Sequence, residues 1–520
     1  MINDISSILP IRLYGGCSMA TIPDWAKELR QKGTEIKLIN GKYYLFKVSS
    51  KWDPQKKRAR KISGKYLGIL TPKGLVPAQH RRIRINEPLV SKEFGASWFL
   101  ASLTNDIREN LEKHFSDLWK ELYTVSLLRV IRPCSFRYIA EHYEHSVLSE
   151  YYPGLTLSSA SISLLLKTLG NRRGSISAFM KEFLMDANEY LIFDGTGIVS
   201  FSKGIEDCHS GYNNEHCYNP QINLLYAFYG GSVEGMPAYY RKFPGNVREV
   251  SAFGALVAEM GIHDIVVIAD KGFGSEANFA DMDNVGLRYI VPLRRNSLSY
   301  DRTRLQSVDK SGFDGVFEFG GRPIWYYQTH EDTHHRILVY LDGALRLKEE
   351  KDYLRRLLSH HEGYTEEALR AKQCEFGILV LKTSLEDSLE RIYELYKERA
   401  QIEQMFDEYK NLLRWDASYV HSDGALEGWF FLNHLRLMTC YRVIELLHAT
   451  NSLKRYSVQG LLQEYLSGIR VERITGTWKY EVLSKAQKEV LKHLDLELPD
   501  LAATPIETAF TSPLYTEHIT

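Results

Sequence analysis

Tyr190-Leu191-Ile192-Phe193-Asp194-Gly195-Thr196 is a short apolar run ending in an acid, and it marks the point where the chain turns from helical to strand texture. Apolar residues without polar alternation suit a strand buried on both faces. Gln221 to Tyr229 is strand-like and rich in Leu, Tyr and Phe, and Pro237 to Phe243 is another candidate after Gly230-Gly231. A helical pattern covers Arg248 to Met260. Ile265-Val266-Val267-Ile268-Ala269 then forms a second buried run and delivers Asp270-Lys271-Gly272-Phe273 at its end. A helix over Glu276 to Asn284 and a strand over Arg288 to Leu293 follow.

Three antiparallel strands, a crossover helix, a strand, a helix and a strand make up the ribonuclease-H-like order. Its first and fourth strands are neighbours, so Asp194 and Asp270 are expected to emerge close together. A third acid should come from a closing helix. The candidate is Glu403, within Tyr396-Lys397-Glu398-Arg399-Ala400-Gln401-Ile402-Glu403 and its continuation to Lys410. At about 100° per residue, Tyr396, Arg399, Glu403 and Lys410 fall within roughly a 60° arc. Leu395, Ile402, Phe406, Tyr409 and Leu413 form the apolar stripe beside it, which docks such a helix on a core. An ordinary amphipathic helix with i,i+4 ion pairs would read the same way in isolation. The separation of Asp270 from Glu403 is too long for a loop and implies an insertion. Within it, Phe313 to Tyr327 and His335 to Leu341 look like strands, Leu345 to Ser359 looks helical, and Phe376 to Leu381 returns as a strand.

The chain has 520 residues, enough for two to four domains, and the apolar and charged fractions of a soluble globular protein. Neither a signal peptide nor a membrane span is expected, which points to a cytoplasmic protein. Its six cysteines are scattered rather than arranged as a disulfide framework. Cys208-His209 and His216-Cys217 offer four zinc-type ligands, but adjacent pairs lack zinc-knuckle spacing, and a polar loop is the simpler account.

Formal charge is zero overall, yet Gly41 to Ile85 holds thirteen Lys and Arg against one acid, Asp53, a net of +12. That asymmetry is the electrostatic footprint of nucleic-acid binding. The same stretch alternates aromatic or aliphatic with basic residues, from Lys42 to Val48 and from Arg58 to Ile62, as a hairpin with one cationic face does. Lys56, Lys57, Arg58 and Arg60 are its candidate DNA contacts; a merely solvated hairpin is the alternative. Helical patterns over Trp98 to Phe115, Leu118 to Ile131 and Ala160 to Leu169 follow, and Gly428 to Leu447 is strongly apolar and helical near the C-terminus.

Any one acid after a strand is more often a cap or turn former. Two strand-end acids and a helical acid on one edge, however, would repel one another unless a cation neutralised them. Hard oxygen ligands favour Mg²⁺ or Mn²⁺ over zinc. Two such ions about 3.5–4 Å apart activate water or a 3′ hydroxyl against a phosphodiester.

Asp194-x-Thr196 after a strand, Asp270-Lys271-Gly272-Phe273, and Tyr396-x2-Arg399-x3-Glu403-x6-Lys410 resemble the three signatures of DDE transposases of bacterial and archaeal insertion sequences. The group is the one named for its YREK helix, insertion-sequence family four and its relatives, and the likeness runs from about residue 40 to 480. It implies that Asp194, Asp270 and Glu403 are catalytic and bind two Mg²⁺ (or Mn²⁺) ions, with Asp407 a disfavoured alternative third acid. Tyr396, Arg399 and Lys410 would hold phosphates of the terminal strand. In better understood relatives a β-rich insertion offers an aromatic residue to a flipped base. Trp325 is the candidate here, with a core tryptophan as the alternative. Arg294 and Arg295 are candidates for phosphate contact, with solvated surface as the alternative.

The expected architecture is α/β: a ribonuclease-H-like catalytic core interrupted by a β-rich insertion domain. An N-terminal β-hairpin plus helical domain precedes it, and a helical C-terminal region follows. The expected boundaries are a basic hairpin region for DNA contact (1–90), a helical DNA-binding or positioning domain (91–185) and the first part of the core (186–293). The insertion (294–380), the closing catalytic helix (381–415) and a C-terminal region suited to dimerisation (416–520) complete it. The implied function is cut-and-paste transposition: a homodimer binds double-stranded DNA at terminal inverted repeats, cleaves, and joins the 3′ ends to target DNA, nucleoid-associated when bound. A domesticated DNA-binding relative and a stand-alone metal-dependent nuclease are the alternatives.

Overall fold

The computed structural model describes residues 22–53, 56–77, 90–184, 190–212, 218–230, 236–247, 249–262, 265–307, 309–330, 334–399, 420–474, 476–501 and 506. The chain divides into two units, Met1–Pro88 and Leu89–Thr520.

In the first unit, helix α1 (Asp24–Glu28) precedes strands β1 (Thr34–Ile39), β2 (Lys42–Asp53), β3 (Arg58–Thr71) and β4 (Gly74–Pro77), which form an antiparallel sheet in that order. Leu45, Leu70 and Ala26 make its small core, with Trp25 set edge-on to Tyr43. Gly68 sits where β2 and β3 shift register. Its φ is +152°, and a side chain there would meet Val76 O at 2.1 Å, so only glycine fits. Beyond this bulge the hairpin has no core to cover, and residues 56–65 are exposed.

The second unit starts with strand β5 (Val90–Glu93) and the helices α2 (Gly95–Leu103), α3 (Asn105–His114), α4 (Trp119–Ile131), α5 (Ile139–His145), α6 (Leu148–Tyr151), α7 (Ser159–Gly170) and α8 (Arg173–Glu182). The continuous helix expected from Trp98 to Phe115 is broken at Thr104, whose hydroxyl turns back to Leu100 O and meets Tyr123 Oη.

A ten-stranded sheet is the centre of this unit. Strands β6 (Tyr190–Val199), β7 (His209–Tyr212), β8 (Tyr218–Gly230) and β9 (Pro237–Pro244) are antiparallel neighbours, with β7 and β9 sharing one edge of β8. After α9 (Glu249–Met260), β10 (Val266–Ile268) pairs parallel with β6. After α10 (Glu276–Asn284), β11 (Arg288–Pro292) pairs parallel with β10. β6 and β10, the first and fourth strands of the expected order, are thus hydrogen-bonded neighbours, with β7 a short strand added to that order. β6 continues past Asp194 to Val199, because Gly195 to Val199 stay laddered to β8.

The chain then passes α11 (Thr303–Gln306), β12 (Gly315–Phe319), β13 (Arg322–His330), β14 (Arg336–Asp342), α12 (Gly343–Leu358), α13 (Glu366–Lys372) and β15 (Ile378–Thr383). These strands extend the same sheet in the order β12-β13-β14-β15-β11, while Tyr327, Ile337, Val339 and Val380 form a small core of their own. Gly320-Gly321, both at positive φ, turn what the sequence showed as one strand-like stretch into a hairpin. Helix α14 is described over residues 389–399, and α15 (Asp423–Ala449) is buried along most of its length.

α15 lies against α7 almost backbone to backbone. A side chain at Gly428 would approach Leu166 O to 2.1 Å, and one at Gly170 would meet Gly424 O at 1.8 Å. Arg173 ties the bundle to the sheet, reaching Glu259 Oε1 at 2.9 Å, Glu427 Oε1 at 2.8 Å and the Tyr240 carbonyl at 2.8 Å. The region expected to be helical after residue 416 also holds a hairpin, β16 (Arg470–Ile474) and β17 (Thr477–Tyr480), whose first strand pairs with β5. No helix among the described residues is long and apolar enough to cross a membrane.

Candidate active site

β6 and β10 run side by side with Val266, Val267 and Ile268 level with Tyr190, Leu191 and Ile192. β10 ends at Ile268, two residues before Asp270, and its partner Ile192 stands two residues before Asp194, so the two acids follow level positions on neighbouring strands. Asp194 is paired across the ladder with Tyr226 and so shares its sheet face. That face is packed by α15, whose His434 ring lies 5.9 Å from Tyr226 and 5.3 Å from Tyr240. The opposite face is covered by α9 through Phe193 and Phe253, 5.0 Å apart. Asp270 leaves the sheet in extended conformation, and the turn that follows is pinned by buried Phe273, 5.7 Å from Phe253.

α14 packs on the same sheet face as Asp194, which the ladders carry across β10, β11 and β15 to Tyr340 on β14 and Phe317 on β12. Ile392, Tyr393 and Leu395 are buried. Tyr393 packs at 4.9 Å from Tyr340 and 5.4 Å from Phe317, and Tyr340 Oη donates to Leu389 O at 2.8 Å. The extended strands β12 and β14 therefore hold the helix in place. Its other stripe carries Tyr396 and Arg399, and Arg399 Nη2 comes within 3.7 Å of Asp270 Oδ1, the arginine side chain 8% and the aspartate 44% exposed. Burial pushes the Lys397 ammonium below the usual lysine range, and its Nζ sits 5.0 Å over the Tyr393 ring.

Asp270, Tyr396 and Arg399 open on a cleft of about 900 Å³, lined also by Lys271, Arg294 and Arg295, whereas Asp194 is not among its walls. Arg294 is exposed, whereas Arg295 is forked onto Glu349 at 2.9 and 3.0 Å. Such a pair leaves Arg295 with little charge to offer a ligand. Glu375, from the segment before β15, lines the cleft as well.

The remaining sequence candidates lie elsewhere. Trp325 is half-buried on β13, opposite Leu341 and edge-on to Phe313 at 6.1 Å, and it packs on the small second core rather than lining the cleft. Lys56, Lys57, Arg58 and Arg60 are exposed at the hairpin tip, where Asp53 Oδ1 accepts from Lys56 N at 3.2 Å and Lys57 takes φ 45°. Glu403, Asp407 and Lys410 lie outside the described residues, as do His216 and Cys217. Cys208 donates to Ser200 O at 3.0 Å, and burial raises its thiol pKa. Among the described residues no three His, Cys, Asp or Glu gather as a metal site.

Two residues escaped the sequence reading. Lys271 lines the cleft beside Asp270, and its place in the Asp270-Lys271-Gly272-Phe273 motif was the available signal. Trp52, 63% exposed next to the basic tip, is an aromatic side chain that no core explains.

Residues 188–438 match the family model described as a transposase DDE domain. That span contains Asp194, Asp270, Tyr396 and Arg399, and the match supports a transposase of the DDE kind. No curated protein matches the chain. A solved structure described as the piggyBac transposase synaptic complex with hairpin DNA is 10% identical. It aligns over 72% of this chain and 79% of its own, with a TM-score of 0.38.

Proposed function

We propose that the protein is a cut-and-paste transposase of the YREK group, with a ribonuclease-H-like core, that hydrolyses phosphodiesters at element ends and transfers the strands to target DNA. One observation carries this: within the span matching a transposase DDE domain, Asp194 and Asp270 each come two residues after the paired Ile192 and Ile268 of adjacent parallel strands, with Arg399 3.7 Å from Asp270.

The donor set fits magnesium or manganese. Asp194 and Asp270 offer hard carboxylate oxygens after neighbouring strands, and Asp270 is open to the cleft. These two acids, with Glu403 as third, are the residues that would hold the ions. Bound there, divalent metal supplies charge neutralisation at the scissile phosphate and a lowered pKa for the attacking hydroxyl.

The chain's own residues do the positioning. Arg399, buried and fixed by α14, orients the Asp270 carboxylate and presents a planar donor toward the cleft. Tyr396 lies one turn before it on the same wall. Lys271 and Arg294 stand at the cleft surface, where a phosphate backbone would run. Lys410 belongs to the same helix in the sequence pattern and would extend that row. The hairpin tip, with Lys56, Lys57, Arg58 and Arg60, contributes sequence-independent affinity for double-stranded DNA. Joining two ends requires two copies, so the working form on DNA is a homodimer. Trp325, packed against Phe313, serves the insertion's core in this reading.

The test is to incubate the purified protein with its terminal repeats and Mg²⁺. Double-strand excision and strand-transfer products are expected, and both should vanish with Asp270→Ala or Glu403→Ala. Excision without joining would favour a nuclease, and binding without cutting would favour a DNA-binding relative.

A further inference from the structure

A second cavity, of about 450 Å³, lies between the helical bundle and the start of α15. Arg129, Lys167, Phe136, Trp429, Ser163 and Ser422 are among its walls, and no described residue lining it carries a carboxylate. It belongs to neither the cleft nor the basic hairpin.

Arg129 stands in the last turn of α4 with its guanidinium 4.6 Å from the centre of the Phe136 ring. Its Nε and Nη1 are shut off from solvent and have no hydrogen-bond partner. A charged neighbour on α15 makes matters worse. Arg436 is fully buried, and its hydrogen bonds go to Asn433 Oδ1 at 2.6 Å and to Arg129 O at 3.1 Å, neither of them an anion. Burial pushes both guanidinium groups below the usual arginine range, and thiols, not carboxylates, are the groups that oppose this. Buried cations are ordinarily paired, and leaving one unpaired is costly.

We infer that this cavity is a binding site for a nucleotide phosphate, with the phosphate on Arg129 and the base against the apolar wall of Phe136 and Trp429. A guanidinium N–H gives a phosphate oxygen a charge-assisted hydrogen bond, and Lys167 at the exposed rim adds a second cation. A bare inorganic ion would leave the aromatic walls uncovered, whereas an anion carrying a flat apolar body covers them. The nucleotide can be a free one or a unit within a DNA strand. The site does not depend on the catalytic assignment, so its failure and that of the transposase reading are separable.

Calorimetric titration of the full chain with dAMP, deoxyadenosine and inorganic phosphate tests it. dAMP should bind at least tenfold more tightly than either of the other two, and Asp270→Ala should bind it unchanged. Arg129→Met should lose at least tenfold in dAMP affinity, while its ligand-free melting temperature stays level or rises because an unpaired buried charge has gone. Unaltered dAMP binding by Arg129→Met, or no binding by the parent, would overturn the assignment. Should Arg129→Met fail to fold, Lys167→Gln at the rim decides: a threefold or greater loss supports the site, and unchanged affinity overturns it. Displacement of dAMP by a short single-stranded oligonucleotide assigns the site to a DNA strand, and its absence assigns it to a free nucleotide.

Discussion

Arg399, almost fully buried on α14, places Nη2 3.7 Å from Oδ1 of Asp270, whose own side chain faces the cleft at the end of β10. An immobilised cation beside a half-exposed acid orients that acid without quenching it. Arg399→Gln should therefore lower the cleavage rate by about a hundredfold, the usual scale for one lost charged donor at a reacting phosphate. Arg399→Lys should recover only part, because an ammonium lacks the fork. Single-turnover cleavage of a repeat end measures both, and full activity of Arg399→Gln would remove it from the site.

The basic hairpin should carry a salt-dependent share of DNA affinity. Replacing Lys56, Lys57, Arg58 and Arg60 together by Gln should flatten the slope of log affinity against log salt by about 3–4, near 0.9 per lost phosphate contact. Fluorescence anisotropy across a salt series reads it directly. An unaltered slope would take the hairpin out of the interface.

Gly428 is a packing requirement. Alanine is the better helix former by about 1 kcal/mol, but its methyl would lie 2.1 Å from Leu166 O, where α7 and α15 touch. Gly428→Ala should lose about 2 kcal/mol net in urea unfolding. A gain in stability would mean that the two helices are not so close.

His434 gives the fold an acid limit. Burial lowers its folded pKa to about 3 from an ordinary 6.5, so the native state holds it neutral while the unfolded chain takes up a proton. Its contribution is fully present above pH 6.5 and is lost as pH falls toward 3, at about 1.4 kcal/mol per pH unit. Unfolding free energy between pH 6.5 and 4.5 should fall less steeply in His434→Phe than in the parent. Equal slopes would refute the assignment.

Much of the core was readable because its strands are buried on both faces. Tyr190 to Phe193 and Val266 to Ala269 are unbroken apolar runs, and each is nearly inaccessible in the fold. Asp270, Tyr396, Arg399, Arg294 and Arg295 do line one cleft, but helical periodicity could not say that Glu349 neutralises Arg295. Trp325 looked the same whether it faced a base or a core, since an alternating strand pattern gives faces and not occupants. The hairpin of β16 and β17 was hidden for a different reason. Its partner β5 is remote in sequence, and pairing over such a distance leaves no local periodicity.

Binding of Mn²⁺, followed by electron paramagnetic resonance, tests most directly whether Asp194 and Asp270 share a metal. Either Asp194→Ala or Asp270→Ala should weaken the tightest binding at least tenfold, and the double variant should lose little more than the worse single one. Tight Mn²⁺ binding that survives in both single variants would contradict the account.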